Sequence, residues 1–205
     1  MKLPKHTKNS LVVMERISSL GIPYPIQQRI GAFAVSWGLF ESNLELAVWS
    51  LQKEDVKGAR PSTDKAQVSD WIAVLESGSD DLTAAANEVL RTAAQAAVDL
   101  MHYRHALMHG TLATLPGVSL FIRNPLWHGE KRKRESSTAH IEVNLLDLAI
   151  DSAWVLFRVA ICAEKAPRDP AFVLQLEELM SDAQRIKSYA YELRHLSALM
   201  NHEKY

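Results

Sequence analysis

The chain has 205 residues, of which 47% are hydrophobic and 23% are charged, and its formal net charge is −1 at pH 7. This composition is typical of a globular protein that buries a core, and the near-zero charge excludes a global attraction to nucleic acid or to anionic membranes. Any binding of nucleic acid would therefore need a local basic patch. The one cysteine, Cys162, excludes an internal disulfide and a paired-cysteine metal site.

The sequence shows no pattern typical of a secretion signal or of a membrane-spanning helix. Its first 20 residues have neither a long apolar run nor the small-residue cleavage signature of a secretion signal. The most apolar window, residues 145–163, contains Asp147, Asp151 and Arg158, and three charges favour a buried core helix over a membrane span. We therefore expect a cytoplasmic protein without a membrane partner.

A long amphipathic helix is predicted over residues 25–52. Its apolar residues recur three or four positions apart, as one face of an α-helix requires: Ile26, Ile30, Phe33, Trp37, Phe40, Leu44, Val48 and Leu51. A loop follows over residues 57–63, and Asp64 is the expected cap of a short helix that ends near Leu75.

A second long helix follows the break at residues 77–81, with one stripe formed by Ala86, Val89, Ala93, Ala97 and Leu100. Gly110 stands where a C-terminal cap belongs. Residues 111–143 hold the short β-prone runs TLATL, VSLFIR and TAHIEVN, and Pro-Gly at 116–117 is a turn signal.

The pattern becomes helical again over residues 145–163. It is interrupted by Pro167 and Pro170, and a last helix is predicted from about Ala171 towards Met200. The predicted fold is thus mainly α, with two long central helices and a small β-hairpin insertion at about 111–143. We expect one domain over residues 1–205, with an extra C-terminal helix over 168–202.

Two charges fall on the apolar faces of the long helices. The stripe that ends at Leu100 continues onto Arg104, and Glu41 lies between Trp37 and Leu44 on the first helix. A charge on a buried face is costly unless it finds a partner of opposite sign. We therefore predict a Glu41–Arg104 pair, with Glu45 as the alternative carboxylate.

Three histidines lie on another face of the second helix. His102, His105 and His109 are three and four residues apart, so they share that face. Histidines four apart on a helix can bind zinc, but no HExxH motif is present and Asp99 lies only at the edge of the face. A three-histidine metal site is therefore an alternative, and the preferred interpretation has no metal and no cofactor.

The segment RHALMHG, from Arg104 to Gly110, resembles the R-[NDH]-x₃-H motif of the HEPN superfamily, many members of which are metal-independent endoribonucleases. Arg104 matches the motif arginine, His105 the polar position after it and His109 the motif histidine. The upstream segment WGLFESNLELAVW is similar to the glutamate-bearing helix of these proteins, with Glu41 as the closest match. The resemblance covers about residues 25–165.

This resemblance implies a helical bundle and an RNA-cleaving site. It implies that His109 transfers protons, that Arg104 binds the scissile phosphate and that His105 makes a supporting polar contact. It also implies a homodimer with the motifs facing each other across the interface. A subfamily encoded beside nucleotidyltransferases has tyrosine two residues after the motif histidine, and Thr111 in that position argues against such a partner.

The predicted function is that of an RNA-cleaving toxin or antiviral defence component, with an antitoxin protein as the partner of a toxin. The alternative is a HEPN-type module that binds a nucleotide or a protein without catalysis. The basic run Lys131, Arg132, Lys133 and Arg134 is a candidate RNA contact, and its alternative is a solvated hairpin tip.

Overall fold

The computed structural model describes residues 3–115, 118–125, 129–130, 133 and 136–202. Within these ranges the helices are α1 (Lys5–Ser19), α2 (Tyr24–Leu51), α3 (Val68–Ser77), α4 (Ala84–His109), α5 (Val143–Lys165), α6 (Pro170–Glu178) and α7 (Met180–His202). The strands are β1 (Thr111–Leu115), β2 (Val118–Arg123) and β3 (Ser137–His140), between α4 and α5. The prediction of a mainly helical chain with a small β insertion is confirmed.

The long helices α2 and α4 do not pack side by side along their lengths. Helix α2 packs mainly on α5, α4 packs mainly on α7, and α3 contacts both α2 and α4. Where α2 faces α4, long side chains span the gap between the two backbones. The rings of Phe33 and Tyr103 meet edge to face, for example, with centroids 6.0 Å apart. These rings fill the gap at Phe33, whereas beside Glu41 and Arg104 the gap is only partly filled and forms a groove between α2 and α4.

The predicted start of the third helix is wrong. Asp64 lies in a short 3-10 helix (Ser62–Lys65) and forms an ion pair with Arg60. Helix α3 begins only at Val68, where the Asp70 carboxylate accepts a hydrogen bond of 2.8 Å from the backbone N–H of Gln67. An acidic residue in the first turn thus satisfies the free N–H at the helix start, which Asp64 is too far upstream to do.

The predicted last helix is two helices. A break at Leu179 separates α6 from α7, although residues 171–200 contain neither glycine nor proline. Leu176, Leu179 and Ala183 are all buried on the two sides of the break. Helices α6 and α7 both pack on α4 and α5, and the chain changes direction at Leu179 so that each of them buries an apolar side there. Packing overrides local helix propensity at this point.

Gly110 ends α4, but not by the left-handed conformation of a typical glycine cap. Its backbone is extended, with φ −81° and ψ 164°. A Cβ at this position would lie 3.1 Å from both the backbone N and C of Ile122, and 2.3 Å from the carbonyl oxygen of Ala106. Glycine is therefore needed because a Cβ would collide with the last turn of α4 and would also crowd β2, which passes over the end of this helix.

The sheet is antiparallel, in the order β1-β2-β3, and it is held against two helices. The Tyr103 hydroxyl on α4 donates a hydrogen bond of 2.6 Å to the carbonyl of His140 on β3. On the other side, the backbone N–H of Thr138 donates to Ser197 Oγ on α7 at 2.8 Å. These contacts fix the sheet at the end of α4, next to the candidate motif.

No helix in the described part of the chain is long and apolar enough to cross a membrane.

Gly110→Ala should destabilise the protein by about 1–3 kcal/mol, because the added methyl collides with backbone atoms that cannot move aside as a flexible side chain would. Gly31→Ala is the control, since Gly31 is an exposed helical position on α2 with nothing within 4 Å of an added Cβ. The control should gain up to about 1 kcal/mol. The measurement is urea unfolding, and an unchanged or increased stability of Gly110→Ala would contradict this account.

Candidate active site

The side chain of Arg104, on α4, points towards α2 and faces Glu41. The side chains of Arg104 and Glu41 are 24% and 27% exposed, so each charge is partly withdrawn from water. Arg104 Nη2 lies 3.8 Å from Glu41 Oε1. That distance is an ion pair without a direct hydrogen bond. The structure therefore brings together the two charges that the sequence places on facing helices.

Glu45 has a different role. Its carboxylate accepts a hydrogen bond of 2.6 Å from the hydroxyl of Thr63, which is buried. The same hydroxyl oxygen accepts a hydrogen bond of 2.9 Å from Trp49 Nε1. Glu45 thus anchors the loop after α2, and the carboxylate that pairs with Arg104 is Glu41.

Arg104 also contacts His109, the last residue of α4. Arg104 Nη1 lies 3.2 Å from His109 Nε2. Because a guanidinium only donates hydrogen bonds, His109 accepts with the Nε2 lone pair and carries its proton on Nδ1. The His109 side chain is exposed. One arginine therefore connects a carboxylate in the groove to an imidazole at the surface.

His105 lies one turn before His109, with the two ring centroids 6.0 Å apart. Its side chain is half-buried, and its Nδ1 is buried without a hydrogen-bond partner. Burial lowers the pKa of His105 to about 4, with further contributions from the positive charges of Arg123 and Arg104. His105 is thus neutral at pH 7 and cannot supply a proton as an imidazolium there.

Arg123 is a residue that the sequence analysis missed. It is the last residue of β2, and its charge acts on His105. No local pattern marks it, because its position depends on the pairing of β2 with β1 and on the passage of β2 over Gly110. Arg123 adds a second positive charge to the neighbourhood of Arg104.

The three-histidine metal site is not formed. Among the described residues, which include His102, His105 and His109, no group of three or more His, Cys, Asp or Glu is placed to hold a metal ion. Asp99, at the edge of the histidine face, is in an ion pair with Arg194 of α7 at 2.5 Å. Arg104 and His109 are the two motif residues that the structure brings into direct contact.

The basic run cannot be placed relative to this site. Lys131, Arg132 and Arg134 lie outside the described residues, and Lys133 is exposed. Its role as an RNA contact stays a prediction.

His105→Asn should make stability less sensitive to acid. The pKa of His105 is 6.5 in the unfolded chain and about 4 in the folded chain, so between these pH values His105 is protonated mainly in the unfolded chain. The free energy of unfolding of the wild type therefore decreases as the pH falls from 6.5 to 4. The pKa of His140 is also lowered by burial, so both proteins lose stability in acid. The wild type should lose on the order of 1 kcal/mol more between pH 7 and 5, since solvent at the half-buried ring weakens the effect.

The measurement is thermal unfolding of both proteins at the two pH values. Equal losses in Tm for the wild type and His105→Asn would contradict the assignment of this pH dependence to His105.

Comparison of the whole chain with protein-family models, with curated proteins and with solved structures gives no match. The function of the site must therefore be argued from its own chemistry.

Proposed function

We propose that the protein is a HEPN-like, metal-independent endoribonuclease that cleaves RNA by transesterification. The observation that carries the proposal is the contact of 3.2 Å between Arg104 Nη1 and His109 Nε2 at the exposed end of α4. This contact supports the proposal because a permanent cation and an imidazole that can accept a proton lie side by side, as the cleavage of one phosphodiester requires.

The reaction needs three functions: a base for the ribose 2′-hydroxyl, an acid for the 5′-oxygen that leaves, and a cation for the charged phosphorane. His109 Nε2 takes the 2′-hydroxyl proton, and the 2′-oxygen then attacks phosphorus as the bond to the 5′-oxygen breaks. The products are a 2′,3′-cyclic phosphate and a 5′-hydroxyl that has gained a proton. No metal ion is required.

Arg104 binds the phosphate in this proposal, and Glu41 holds Arg104 in position. When a phosphate oxygen approaches, Arg104 Nη1 turns to it and releases His109 Nε2 for the 2′-hydroxyl. The ion pair of 3.8 Å between Arg104 and Glu41 orients the guanidinium without engaging it in a direct hydrogen bond. His105 stays neutral and serves as a polar support.

We further propose a homodimer in which the second copy supplies the acid. Each chain has one motif histidine, so the facing His109 of the other copy would protonate the leaving oxygen. That histidine must enter the reaction as an imidazolium, with a proton on Nε2 that its own Arg104 no longer contacts. It leaves the reaction neutral, while the His109 that acted as the base becomes protonated. A cytoplasmic toxin or defence component, with an antitoxin in the first case, is the setting that this activity suggests.

His109→Ala should lower the cleavage rate of single-stranded RNA by about 10²–10⁴-fold in the presence of EDTA, because the general base is lost. His102→Ala is the matched control, since His102 is an exposed histidine two turns earlier on the same helix. The control should cleave at the wild-type rate. The assay follows 2′,3′-cyclic phosphate ends; equal rates for both variants, or no cleavage by the wild type, would rule out the proposal.

The second candidate is a binding module in which Glu41 and Arg104 only stabilise the fold. The partial burial of both side chains favours it, because such a pair can be structural. A double-mutant cycle with Glu41→Ala and Arg104→Ala separates the two functions. Coupling in the free energy of unfolding, with no effect on RNA cleavage, would favour the binding module; loss of cleavage in Arg104→Ala favours the ribonuclease.

A further inference from the structure

Two cavities open on either side of the Glu41–Arg104 pair. The first, of about 380 Å³, is lined by both of these residues with Gln67, Ser69, Met101 and His105. The second, of about 260 Å³, is lined by the same pair with Ala34, Trp37, Gly38 and Met108. Both exist because α2 and α4 are bridged here by side chains instead of packing closely.

The order of side chains along α4 places Arg104 in the middle. Met101, Arg104, His105 and Met108 are three or four residues apart and share one face of the helix. Met101 and His105 line the first cavity, Met108 lines the second, and Arg104 lines both. A group bound by the guanidinium therefore has one cavity on each side.

The two cavities differ in chemistry. The first offers hydrogen-bonding groups, because Gln67, Ser69 and His105 lie on its wall together with Glu41. The second is mainly apolar, with an indole, a thioether and two small residues. Each is lined by one ring, His105 or Trp37, whose buried nitrogen has no hydrogen-bond partner. Such unpaired ring nitrogens are uncommon in a finished core.

We infer that the two cavities bind the two nucleobases that flank the phosphate held by Arg104. This inference rests on the proposed function and names its substrate as single-stranded RNA, because both bases must be unstacked to enter. The first cavity reads the edge of its base through the polar side chains. The second holds its base by van der Waals contact with apolar side chains, which every base can make, and so gives little selectivity.

The experiment measures binding of a fluorescent 2′-O-methyl RNA tetranucleotide by anisotropy, using the full chain. The 2′-O-methyl groups prevent cleavage, so binding is read independently of activity. Removing either central base should weaken binding roughly 5- to 100-fold. Exchanging bases should matter at one central position and not at the other, and the duplex form should bind more weakly than the single strand.

Variants that fill one cavity test the assignment. Gly38→Leu places a side chain in the second cavity, and nothing lies within 4 Å of its added Cβ. The control is Gly31→Leu, two turns earlier on α2, where an added Cβ also has nothing within 4 Å. Ser69→Phe occupies the first cavity, and Ser77→Phe, also exposed on α3, is its control. Each filling variant should weaken binding at least fivefold, and neither control should.

The filling variants should also cancel the effect of one missing base. Gly38→Leu should add no further loss when the base at the unselective position is absent, and Ser69→Phe should behave likewise at the selective position. The inference would be overturned if a filling substitution and the removal of its matching base each weakened binding and their effects added up. It would also be overturned if the filling variants and their controls bound the tetranucleotide equally well.

The outcome is separable from that of the proposed function. If the wild type cleaves RNA but the filling variants bind the tetranucleotide normally, the two-cavity inference fails and the ribonuclease stands. If the variants behave as expected but no RNA is cleaved, the cavities are supported as a nucleotide-binding site and the catalytic proposal fails.

Discussion

The guanidinium of Arg104 lies in the groove between α2 and α4, with the Glu41 carboxylate on one side and the His109 imidazole on the other. Partial burial of a cation destabilises the fold unless an opposite charge lies nearby, and the Glu41 carboxylate supplies that charge. Another nitrogen of the guanidinium, Nη1, contacts Nε2 of His109 at the surface. A phosphate that entered here would meet a cation already in place, and an imidazole whose proton-accepting nitrogen is already oriented.

The position of that histidine depends on the sheet. Gly110 allows β2 to pass within van der Waals distance of the end of α4, and Tyr103 ties β3 to the same helix. The β insertion is thus more than a connection between helices. It lies over the end of α4 and brings Arg123 near His105, whose pKa is lowered by burial and by this charge.

Local sequence patterns predict the long helices and the strands because each depends on periodicity or on neighbouring residues. Arg104 and His109 are indicated together only by the resemblance to the HEPN motif, and their direct contact is not predicted. Helix α2 runs over Tyr24–Leu51, close to the predicted range, since eight apolar residues share one face. The Glu41–Arg104 pair is also predictable, because each charge interrupts an apolar stripe. The choice of Glu41 over Glu45 is not, since it depends on Thr63, which the loop after α2 brings to Glu45.

Features set by tertiary packing escape a local analysis. The break at Leu179 has no glycine or proline nearby, and Leu176, Leu179 and Ala183 are buried on both sides of it, so the packing of α6 and α7 on α4 and α5 sets its position. Arg123 reaches the site only through strand pairing. The groove itself was not predictable either, because amphipathic patterns indicate that α2 and α4 both bury a face but do not indicate that α5 and α7 are their main partners.

The most direct test of this account is the tautomer of His109, read from ¹⁵N-labelled protein by long-range ¹H–¹⁵N NMR at pH 8. The contact with Arg104 Nη1 predicts a proton on Nδ1 and an unprotonated, hydrogen-bonded Nε2. Addition of the uncleavable 2′-O-methyl RNA should shift the Nε2 resonance as Arg104 turns to the phosphate. A proton on Nε2 in the free protein, or an Nε2 resonance unchanged by Arg104→Ala, would contradict it.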